Sequence, residues 1–432
     1  MLHVTAARAE AQQRRLAGGL VARGWGEGDR VAFVAPSSVL LLLTVLAALR
    51  RGIVPVVLNP ALTDGELDPL VADAEVVGRL GPAELARLVE ADPVDLAPHP
   101  RARPMHYTSG TTGQAKGVWS GLLSDDQAAA LVAEEEELWG FSADDCHLVC
   151  SPLHHSAPIR FAAGTLLAGG EVIVLEKFTP GAFEAAVSTH APTSVFMVPA
   201  HLQRLRAAGM PPLDSFRLVA HAGAPCSVPL KQWAVDQFPD GSVWEFYGST
   251  EGQFTACSAG EWGDRPGTVG RGRPGRTLSV EADGTIWCAV PDHARFTYWR
   301  DPEATARAWR KDAFTVGDLG RLDDDGYLYL DGRRDDLIIS GGVNVYPLEV
   351  EQALHDLDGV DEVAVFGVSD ERWGQRVCAA VVGSATPEAV QAHARTRLAA
   401  YKCPKQVFVV DGLPHTATGK VRRLDLADRF SD

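Results

Sequence analysis

The sequence predicts an α/β protein with a large N-terminal domain of parallel-type sheets flanked by helices, a small β-rich subdomain and a small α/β C-terminal domain. Strand patterns alternate with helix patterns along the first third, as in RVAFVAP, VLLLLTVLAALRRG and IVPVVLNP, which is the order of βαβ units. From about residue 265 to 332, glycine, proline, arginine and aspartate become dense and strand patterns become short. A compact module of helix and strand patterns then begins after Asp335.

The individual elements continue this alternation along the chain. DCHLVCSP, EVIVLE, TSVFMVP and FRLVAHAG predict strands, and RFAAGTLLAGG predicts a helix between the first two. TIWCAV and GYLYLDG predict short strands of the β-rich part, and the C-terminal module has two helix and three strand patterns. The first residues, MLHVTAARAEAQQRRL, predict an amphipathic helix, and the acidic run from Glu134 to Glu137 predicts a solvated helix face with no further role.

Composition narrows the class of protein. The 432 residues, 46% hydrophobic and 22% charged, are typical of a soluble globular chain of two or three domains. A net charge of −16 argues against nucleic acid or an anionic membrane as the main partner. The longest apolar run, VLLLLTVLAAL, is too short to span a bilayer, and no signal-peptide pattern precedes it. The seven cysteines lack CxxC spacing and predict reduced thiols of a cytoplasmic protein.

The stretch YTSGTTGQAKGV, residues 107 to 118, is the first candidate functional motif. Glycines and hydroxyl side chains dominate it, so it cannot bury an apolar face and predicts a loop. Backbone N–H groups in glycine-rich turns bind anions, and Lys116 adds a positive charge, which together favour phosphate as the ligand. The spacing differs from the GxxxxGK[ST] pattern of P-loops. The residues alone therefore leave two interpretations open, a phosphate-binding loop and a flexible surface turn.

Three further motifs follow this stretch in a fixed order. They are EFYGSTEG at 245–252, GDLGRLDDDGYLYLDGRRDDLIISGGVNVYP at 317–347 and LPHTATGKVRR at 413–423. Together with the first motif they resemble the adenylate-forming superfamily of acyl- and aryl-CoA synthetases, carrier-protein adenylation domains and luciferases. The motifs are most similar to those of fatty-acyl-CoA and benzoate-type CoA ligases. The resemblance runs from about residue 5 to the C-terminus, with a shortened segment between residues 78 and 106.

The resemblance implies an ATP site. Its phosphate loop comprises Thr108, Ser109, Gly110, Thr111, Thr112, Gly113 and Lys116. The remaining nucleotide-binding residues implied are Gly223, Ala224, Pro225, Phe246, Tyr247, Gly248, Ser249, Asp318 and Arg333. In this assignment Tyr247 stacks on adenine, Asp318 accepts hydrogen bonds from the ribose, and Arg333 reaches ribose or phosphate. Thr250 contacts the α-phosphate, and Glu251 holds Mg²⁺, which prefers hard oxygen ligands.

The same resemblance assigns the catalytic and CoA-binding residues. Lys420 bridges the substrate carboxylate and the α-phosphate, a role that suits a compact ammonium group. The chain divides into an ATP- and acyl-binding domain, 1–334, and a mobile C-terminal domain, 335–432, with its hinge at Asp335. Gly341 and Gly342 line the channel for the CoA pantetheine. Trp373 flanks the CoA nucleotide or, equally, is a packing residue.

The acyl pocket is the least defined part of the prediction. His155 is expected to gate the carboxylate site, and an apolar wall is expected from Met197, Val198, Ala222 and Phe254, together with Phe246. Nothing in the sequence resembles the acidic residue that binds the α-amine in amino-acid-activating domains, which favours a hydrophobic fatty or aromatic acid. Arg160 is a candidate for contact with a second carboxylate.

The predicted activity is that of an ATP-dependent carboxylic acid:CoA ligase that forms an acyl-AMP intermediate and uses ATP, Mg²⁺ and CoA. A cytoplasmic monomer or homodimer is expected, without a nucleic-acid partner or an integral membrane segment. Two alternatives remain open. One is an enzyme that loads the phosphopantetheine thiol of a carrier protein, and the other is a catalytically silent nucleotide-binding homologue.

Overall fold

A computed structural model of the chain describes residues 2–109, 115–415 and 421–431. The predicted roles of five residues fall outside these segments, namely those of Gly110, Thr111, Thr112, Gly113 and Lys420. The side chains of Ser109 and Asp335 are likewise outside the description. Among the described residues, no helix combines the length and the hydropathy needed to cross a bilayer.

The helices are numbered in chain order. Their bounds are α1 Ala6–Val21, α2 Val39–Arg50, α3 Asp64–Asp73, α4 Pro82–Leu88, α5 Asp125–Trp139, α6 Ser156–Leu167, α7 Pro180–His190, α8 Pro199–Ala207, α9 Val228–Gln237, α10 Ala259–Asp264, α11 Pro302–Ala308, α12 Pro347–His355, α13 Pro387–Arg397 and α14 Arg423–Arg429. Several begin at serine or threonine residues whose hydroxyls accept a backbone N–H of the first turn, as Ser38 does for α2 and Ser124 for α5.

The strands are numbered in the same way. Their bounds are β1 Leu2–Thr5, β2 Arg30–Phe33, β3 Val54–Val57, β4 Gly78–Leu80, β5 His106–Ser109, β6 Ala115–Trp119, β7 Cys146–Val149, β8 Glu171–Val174, β9 Ser194–Met197, β10 Leu218–His221, β11 Val243–Glu245, β12 Thr255–Ser258, β13 Arg271–Gly272, β14 Thr277–Val280, β15 Ile286–Ala289, β16 Thr297–Tyr298, β17 Trp309–Arg310, β18 Ala313–Phe314, β19 Asp318–Leu322, β20 Leu328–Arg333, β21 Ile338–Ser340, β22 Val343–Val345, β23 Val360–Asp370, β24 Gly374–Gly383 and β25 Gln406–Val409.

The chain forms two compact units. The large unit comprises Met1–Pro225, Leu230–Leu278 and Cys288–Phe314, and the small unit comprises Cys226–Pro229, Ser279–Trp287 and Thr315–Asp432.

The large unit contains the main parallel sheet. Among the described residues, eight strands lie in the order β1-β8-β7-β9-β10-β11-β12-β13, with parallel pairing from β8 to β11 and antiparallel pairing at both edges. β9 and β10 are buried along their whole length, as expected for strands covered on both faces. A second parallel sheet, β3-β2-β4, packs with α2, which is almost entirely buried. The α/β prediction is confirmed.

The small unit has its own core. β21 to β24 form a sheet in the order β22-β21-β24-β23, and β25 pairs in parallel with β24. The buried faces of β23 and β24 pack against α12 and α13. β19 and β20 form a separate antiparallel pair. These elements match the helix and strand patterns predicted after Asp335.

Two local predictions are wrong. The stretch 107–118 is not a loop throughout, because its two ends belong to β5 and β6, which pair antiparallel with Thr108 opposite Lys116. Backbone pairing, rather than burial of large side chains, makes strands of these small residues. The N-terminal stretch begins with β1 instead of a helix, since residues 2–5 add an antiparallel edge strand to β8.

Candidate active site

The EFYGSTEG motif forms a closed turn beyond the carboxyl end of β11. The Tyr247 N–H donates to Thr255 Oγ1 at 3.1 Å, and the Phe254 N–H donates to the Tyr247 carbonyl at 2.9 Å. Inside this frame the Ser249 N–H donates to the Gly252 carbonyl at 2.8 Å, so Thr250 and the residue after it occupy the tip. The carboxyl edge of a parallel sheet is where α/β proteins bind ligands. We name residues 247–254 the adenylate loop.

Gly252 is required by packing inside the adenylate loop. A Cβ atom at this position would lie 2.9 Å from Cζ of Phe314, a distance that Cβ atoms do not adopt. The ring of Phe314 is fully buried and also contacts Phe254, with ring centroids 4.9 Å apart. The glycine therefore lets the turn close against a buried aromatic ring.

Glu251 is buried and held by a hydrogen bond from Tyr298, whose hydroxyl donates to Oε1 at 2.9 Å. Tyr298 lies in β16 and pairs with Val118 of β6, the strand that begins beside Lys116. Lys116 Nζ lies 3.5 Å from Asp301 Oδ2 and 5.3 Å from the Tyr298 ring centroid. The β6–β16 pair thus carries Lys116 of the predicted phosphate loop and, through Tyr298, holds the predicted metal ligand Glu251.

The donor set at Glu251 fits a Mg²⁺ ion. In the described segments, Tyr298 is the only hydrogen-bond donor to this carboxylate, and it uses Oε1 alone. The second oxygen, Oε2, is therefore available to a hard cation, which takes one or two protein carboxylates together with phosphate oxygens. When bound, the ion would neutralise charge on the phosphates.

The neighbouring strand end carries the residues predicted to lie along adenine. β10 ends at His221, and Gly223 follows with φ +93°, a conformation that favours glycine. The two strand ends are tied together by the Phe246 N–H, which donates to the His221 carbonyl at 3.1 Å. Tyr247 is buried against Phe254, with ring centroids 4.7 Å apart.

A buried ion pair joins α9 to β11. Lys231 Nζ donates to Glu245 Oε2 at 2.6 Å, and the lysine is 1% exposed. Burial, and to a lesser extent Lys231, hold the pKa of His221 well below its usual value, so His221 is neutral. Sequence analysis did not identify this pair.

His155 precedes α6 and lies in a cluster of three histidines. Its ring is 4.3 Å from that of His154, and burial, followed by the charge of His155, lowers the pKa of His106 to about 3. The same two causes, in the same order, lower the pKa of His154 to about 3. Two of the three rings are therefore neutral at physiological pH.

The predicted acyl-pocket residues lie in well-packed surroundings. Met197 and Phe254 are fully buried, and Ala222 is buried with the aromatic cluster of Trp139, Phe141, Phe161, Phe196 and Phe246. These predicted residues, like His155 and Val198, are not among the residues that line the cavity of about 140 Å³ that reaches the adenylate loop at Thr250, Gly252 and Gln253. Apolar side chains from α5 and α6 form much of its wall, including Leu131 and Ile159.

The prediction of a solvated face for the acidic run on α5 holds for Glu136 and Glu137, which are exposed, and is wrong for Glu134 and Glu135, which face the interior. Glu135 is buried, and its Oε1 accepts a hydrogen bond from Arg273 Nη1 at 2.7 Å, while its Oε2 accepts one from Trp139 Nε1 at 3.1 Å. Arg273 also donates to Gln253 Oε1 at 2.9 Å, which joins α5 to the adenylate loop. A signal was present, since Leu131, Glu135 and Trp139 share a four-residue spacing on one helix face.

In the small unit, Asp318 and Arg333 occupy paired positions on β19 and β20. Arg333 Nε lies 3.1 Å from Asp318 Oδ1, and Asp318 is 8% exposed. The structure thus brings together two residues that sequence analysis predicted for the ribose. A nucleotide hydroxyl that bonded to this carboxylate would do so beside a guanidinium group.

Gly341 and Gly342 both adopt positive φ angles, +60° and +79°. A Cβ at Gly341 would lie 3.1 Å from Cε3 of Trp373, and the Gly341 N–H donates to the Trp373 carbonyl at 2.7 Å. Trp373 is partly exposed, with Lys405 Nζ 5.5 Å from its ring centroid. The glycine pair and the tryptophan therefore form one surface of the small unit.

Comparisons with known proteins identify the family of the chain. The AMP-binding enzyme family model matches residues 2–104 and 104–287, and the model of the AMP-binding enzyme C-terminal domain matches 349–420. A feruloyl-CoA synthase from Amycolatopsis sp is 35% identical, covering 96% of this chain and 92% of that protein, and a 2-succinylbenzoate–CoA ligase from Bacillus cereus is 30% identical, covering 95% and 90%. An o-succinylbenzoate CoA synthetase from Bacillus subtilis, solved with an acyl-adenylate intermediate, superposes with a TM-score of 0.87 at 26% identity, covering 97% and 92%.

The chain belongs to the AMP-binding enzyme family. Its activity is that of an AMP-forming acid–thiol ligase, which converts a carboxylic acid into a CoA thioester through an acyl adenylate. ATP and CoA are the co-substrates of this reaction, and Mg²⁺ is its cofactor.

Proposed function

We propose that the acid is hydrophobic, either aromatic or aliphatic, and that the acceptor is free CoA in the cytoplasm. The observation that carries the proposal is the cavity beside the adenylate loop, which reaches Thr250 and has many apolar side chains in its wall. An acid in this cavity would direct its carboxylate toward the α-phosphorus of ATP. A new oxygen–phosphorus bond would then form as pyrophosphate leaves. The sulfur of CoA would next attack the acyl carbon and release AMP.

The large unit would bind the phosphates and the adenine of ATP. Lys116 and the backbone of the β5–β6 connection would hold the β- and γ-phosphates, and Tyr247 would stack on adenine beside Gly223. Glu251, fixed by Tyr298, would hold Mg²⁺. No enzyme nucleophile is needed, because the acid supplies it, and the contribution of these residues is orientation and charge neutralisation.

The C-terminal domain, residues 335–432, would serve both half-reactions by rotating about Asp335 relative to residues 1–334. Asp318 and Arg333 would bind the ribose, and Lys420 would bridge the two reactants during adenylation. The surface of Gly341, Gly342 and Trp373 would line the CoA channel during thioester formation. Lys420 lies about 80 residues beyond Gly341 in the same module, so alternation is the simplest way for both to act at one site.

Exchange of labelled pyrophosphate into ATP, over a panel of fatty and aromatic acids, tests the substrate class. We expect exchange with apolar acids and acceleration of AMP release by free CoA. If CoA has no effect and a phosphopantetheine carrier protein does, the acceptor is a carrier protein instead. Failure of every acid in the panel would favour the catalytically silent alternative.

Single-turnover kinetics of the two half-reactions test the alternation. Lys420→Ala should abolish acyl-AMP formation and leave thioester formation from supplied acyl-AMP largely intact, whereas Gly342→Trp should do the reverse. Asp335→Pro should hinder both transitions, because proline fixes φ near −65°. If Lys420→Ala slows both half-reactions equally, the C-terminal domain does not alternate.

A further inference from the structure

The cavity beside the adenylate loop contains more positive than negative charge. Four arginines line it, namely Arg103, Arg160, Arg273 and Arg276. The carboxylates in contact with these arginines are Glu134 and Glu135, both on α5. Four guanidinium groups and two carboxylates leave a net charge of +2. The surplus charge lies on partly buried side chains and favours a partner, because an isolated charge is costly away from water.

Two of the arginines are matched by the two carboxylates. Arg273 Nη1 donates to Glu135 Oε1 at 2.7 Å, and Arg276 Nη2 donates to Glu134 Oε2 at 3.0 Å. These pairs anchor α5 to the segment around β13 and β14. They use both acidic groups of the cluster and leave the other two arginines in excess.

The charge of Arg160 is only partly neutralised by a carboxylate. Its Nε lies 3.2 Å from Glu135 Oε2, at an angle that does not form a hydrogen bond, and that oxygen already accepts from Trp139 Nε1. Nε and Nη2 of Arg160 are both buried and have no hydrogen-bond partner among the described residues. The guanidinium carbon lies 5.2 Å from the ring centroid of Phe246, a contact that supplies no acceptor oxygen.

Arg103 is not matched at all within the described segments, where it forms neither a hydrogen bond nor an ion pair. Burial, and then the nearby charges of Arg160 and Arg276, lower the pKa of its guanidinium to about 10. The group remains charged at physiological pH. The acidic group that acts on this pKa is Glu135, which is already shared by Arg160 and Arg273.

We propose that Arg103 and Arg160 bind a second carboxylate of the substrate, so that the acid used by this chain is a dicarboxylic acid with an apolar spacer. The proposal rests on the function proposed above and narrows its substrate class. One carboxylate of the acid lies at Thr250 and reacts with ATP. The spacer contacts the apolar wall of the cavity, which includes Leu131 and Ile159. The second carboxylate accepts hydrogen bonds from the guanidinium groups of Arg103 and Arg160, whose paired N–H donors match the two oxygens of a carboxylate.

The test compares three acids of one skeleton in pyrophosphate exchange: an apolar monoacid, the same acid with a second carboxylate at its far end, and the primary amide of that carboxylate. Two spacer lengths are used. We expect kcat/KM for the diacid to exceed that for the amide by on the order of 10²-fold, the scale for losing one partner of a buried charge pair. Arg103→Met and Arg160→Met should each reduce this ratio by about tenfold or more.

Arg101→Met is the matched control. Arg101 lies two residues from Arg103, pairs with Glu27 at 3.1 Å and does not line the cavity, so the ratio should stay at the wild-type value. If a methionine variant does not fold, Arg103→Lys and Arg160→Lys replace it in the test. These variants retain the positive charge but lose the paired N–H donors of the guanidinium group.

Three results would overturn the inference. The first is a wild-type diacid-to-amide ratio at or below one. The second is an unchanged ratio in folded variants of both arginines. The third is the absence of exchange with every acid, which would overturn the proposed function as well. Exchange with monoacids and no preference for diacids would overturn the dicarboxylate assignment alone.

Discussion

The buried carboxylate of Glu135 offers a direct test of the charge network, through the substitution Glu135→Gln. Its side chain meets Arg273 at 2.7 Å and Arg160 at 3.2 Å, so the substitution removes the one negative charge that two guanidinium groups share. The net charge of the cluster rises from +2 to +3. Breaking a buried ion pair on one side costs about 3–5 kcal/mol, and we expect the free energy of unfolding to fall by about this amount.

The assay is urea denaturation at pH 7, followed by tryptophan fluorescence. Glu137→Gln is the matched control, because Glu137 belongs to the same acidic run and is exposed. We expect the control to change the unfolding free energy by less than about 0.5 kcal/mol. If the unfolding free energies of the two variants differ by less than about 1 kcal/mol, Glu135 does not neutralise the arginines. The net charge assigned to the cluster is then wrong.

The pH dependence of this effect has a defined sign. Burial alone would raise the pKa of Glu135, but the charges of Arg160 and Arg273 outweigh it and hold the pKa below its usual value. A carboxyl group whose pKa is lowered by folding stabilises the protein above its unfolded-state pKa, about 4.3 for glutamate. That stabilisation is lost as pH falls through the lower folded-state pKa. The difference between wild type and Glu135→Gln should therefore shrink below about pH 4.

Three further predictions concern separate parts of the molecule. Glu251→Gln should lower adenylation by roughly 10²–10³-fold, as for loss of one preorganised electrostatic contact, and near-normal turnover at limiting Mg²⁺ would contradict the metal-binding role. Lys231→Ala should destabilise the large unit by about 3–5 kcal/mol in urea denaturation, because Glu245 stays buried without its partner; an effect below about 1 kcal/mol would contradict this. Gly341→Val should slow thioester formation more than adenylation in single-turnover assays, since its Cβ would meet Trp373 at 3.1 Å, and equal slowing would contradict a CoA-channel role.

The fold was predictable because its signals are local. Each buried strand of the main sheet is a short run of apolar residues, as in EVIVLE and TSVFMVP, and each intervening helix carries an apolar stripe. The adenylate loop was predictable for a related reason. The EFYGSTEG motif resembles that of the adenylate-forming superfamily, and the structure places it just after β11, at the carboxyl edge of the sheet.

The charged network of the cavity was not predictable, because it depends on contacts between distant parts of the chain. Glu135 and Arg273 are separated by 138 residues. The segment GRGRPGR, which contains Arg273 and Arg276, is rich in glycine and arginine and therefore has the composition of an exposed turn. Periodicity indicates that Glu135 lies on the apolar face of α5, but it does not indicate which residue neutralises it. Only the tertiary structure supplies that partner.

The network also links the acid-binding cavity to the reaction centre. Arg273 donates to Glu135 on one side and to Gln253 on the other, and Gln253 lies two residues after Glu251. Glu135 therefore influences two places at once, the guanidinium of Arg160 and the position of the adenylate loop. If the second carboxylate of the substrate bound Arg160, Glu135 would no longer be shared between two arginines. The carboxylate of Glu135 would then interact with Arg273 alone. Because hydrogen bonds of a buried network reinforce one another, an occupied cavity should hold the adenylate loop more firmly than an empty one. A ligase built in this way would place its metal ligand most accurately when the correct acid is already bound.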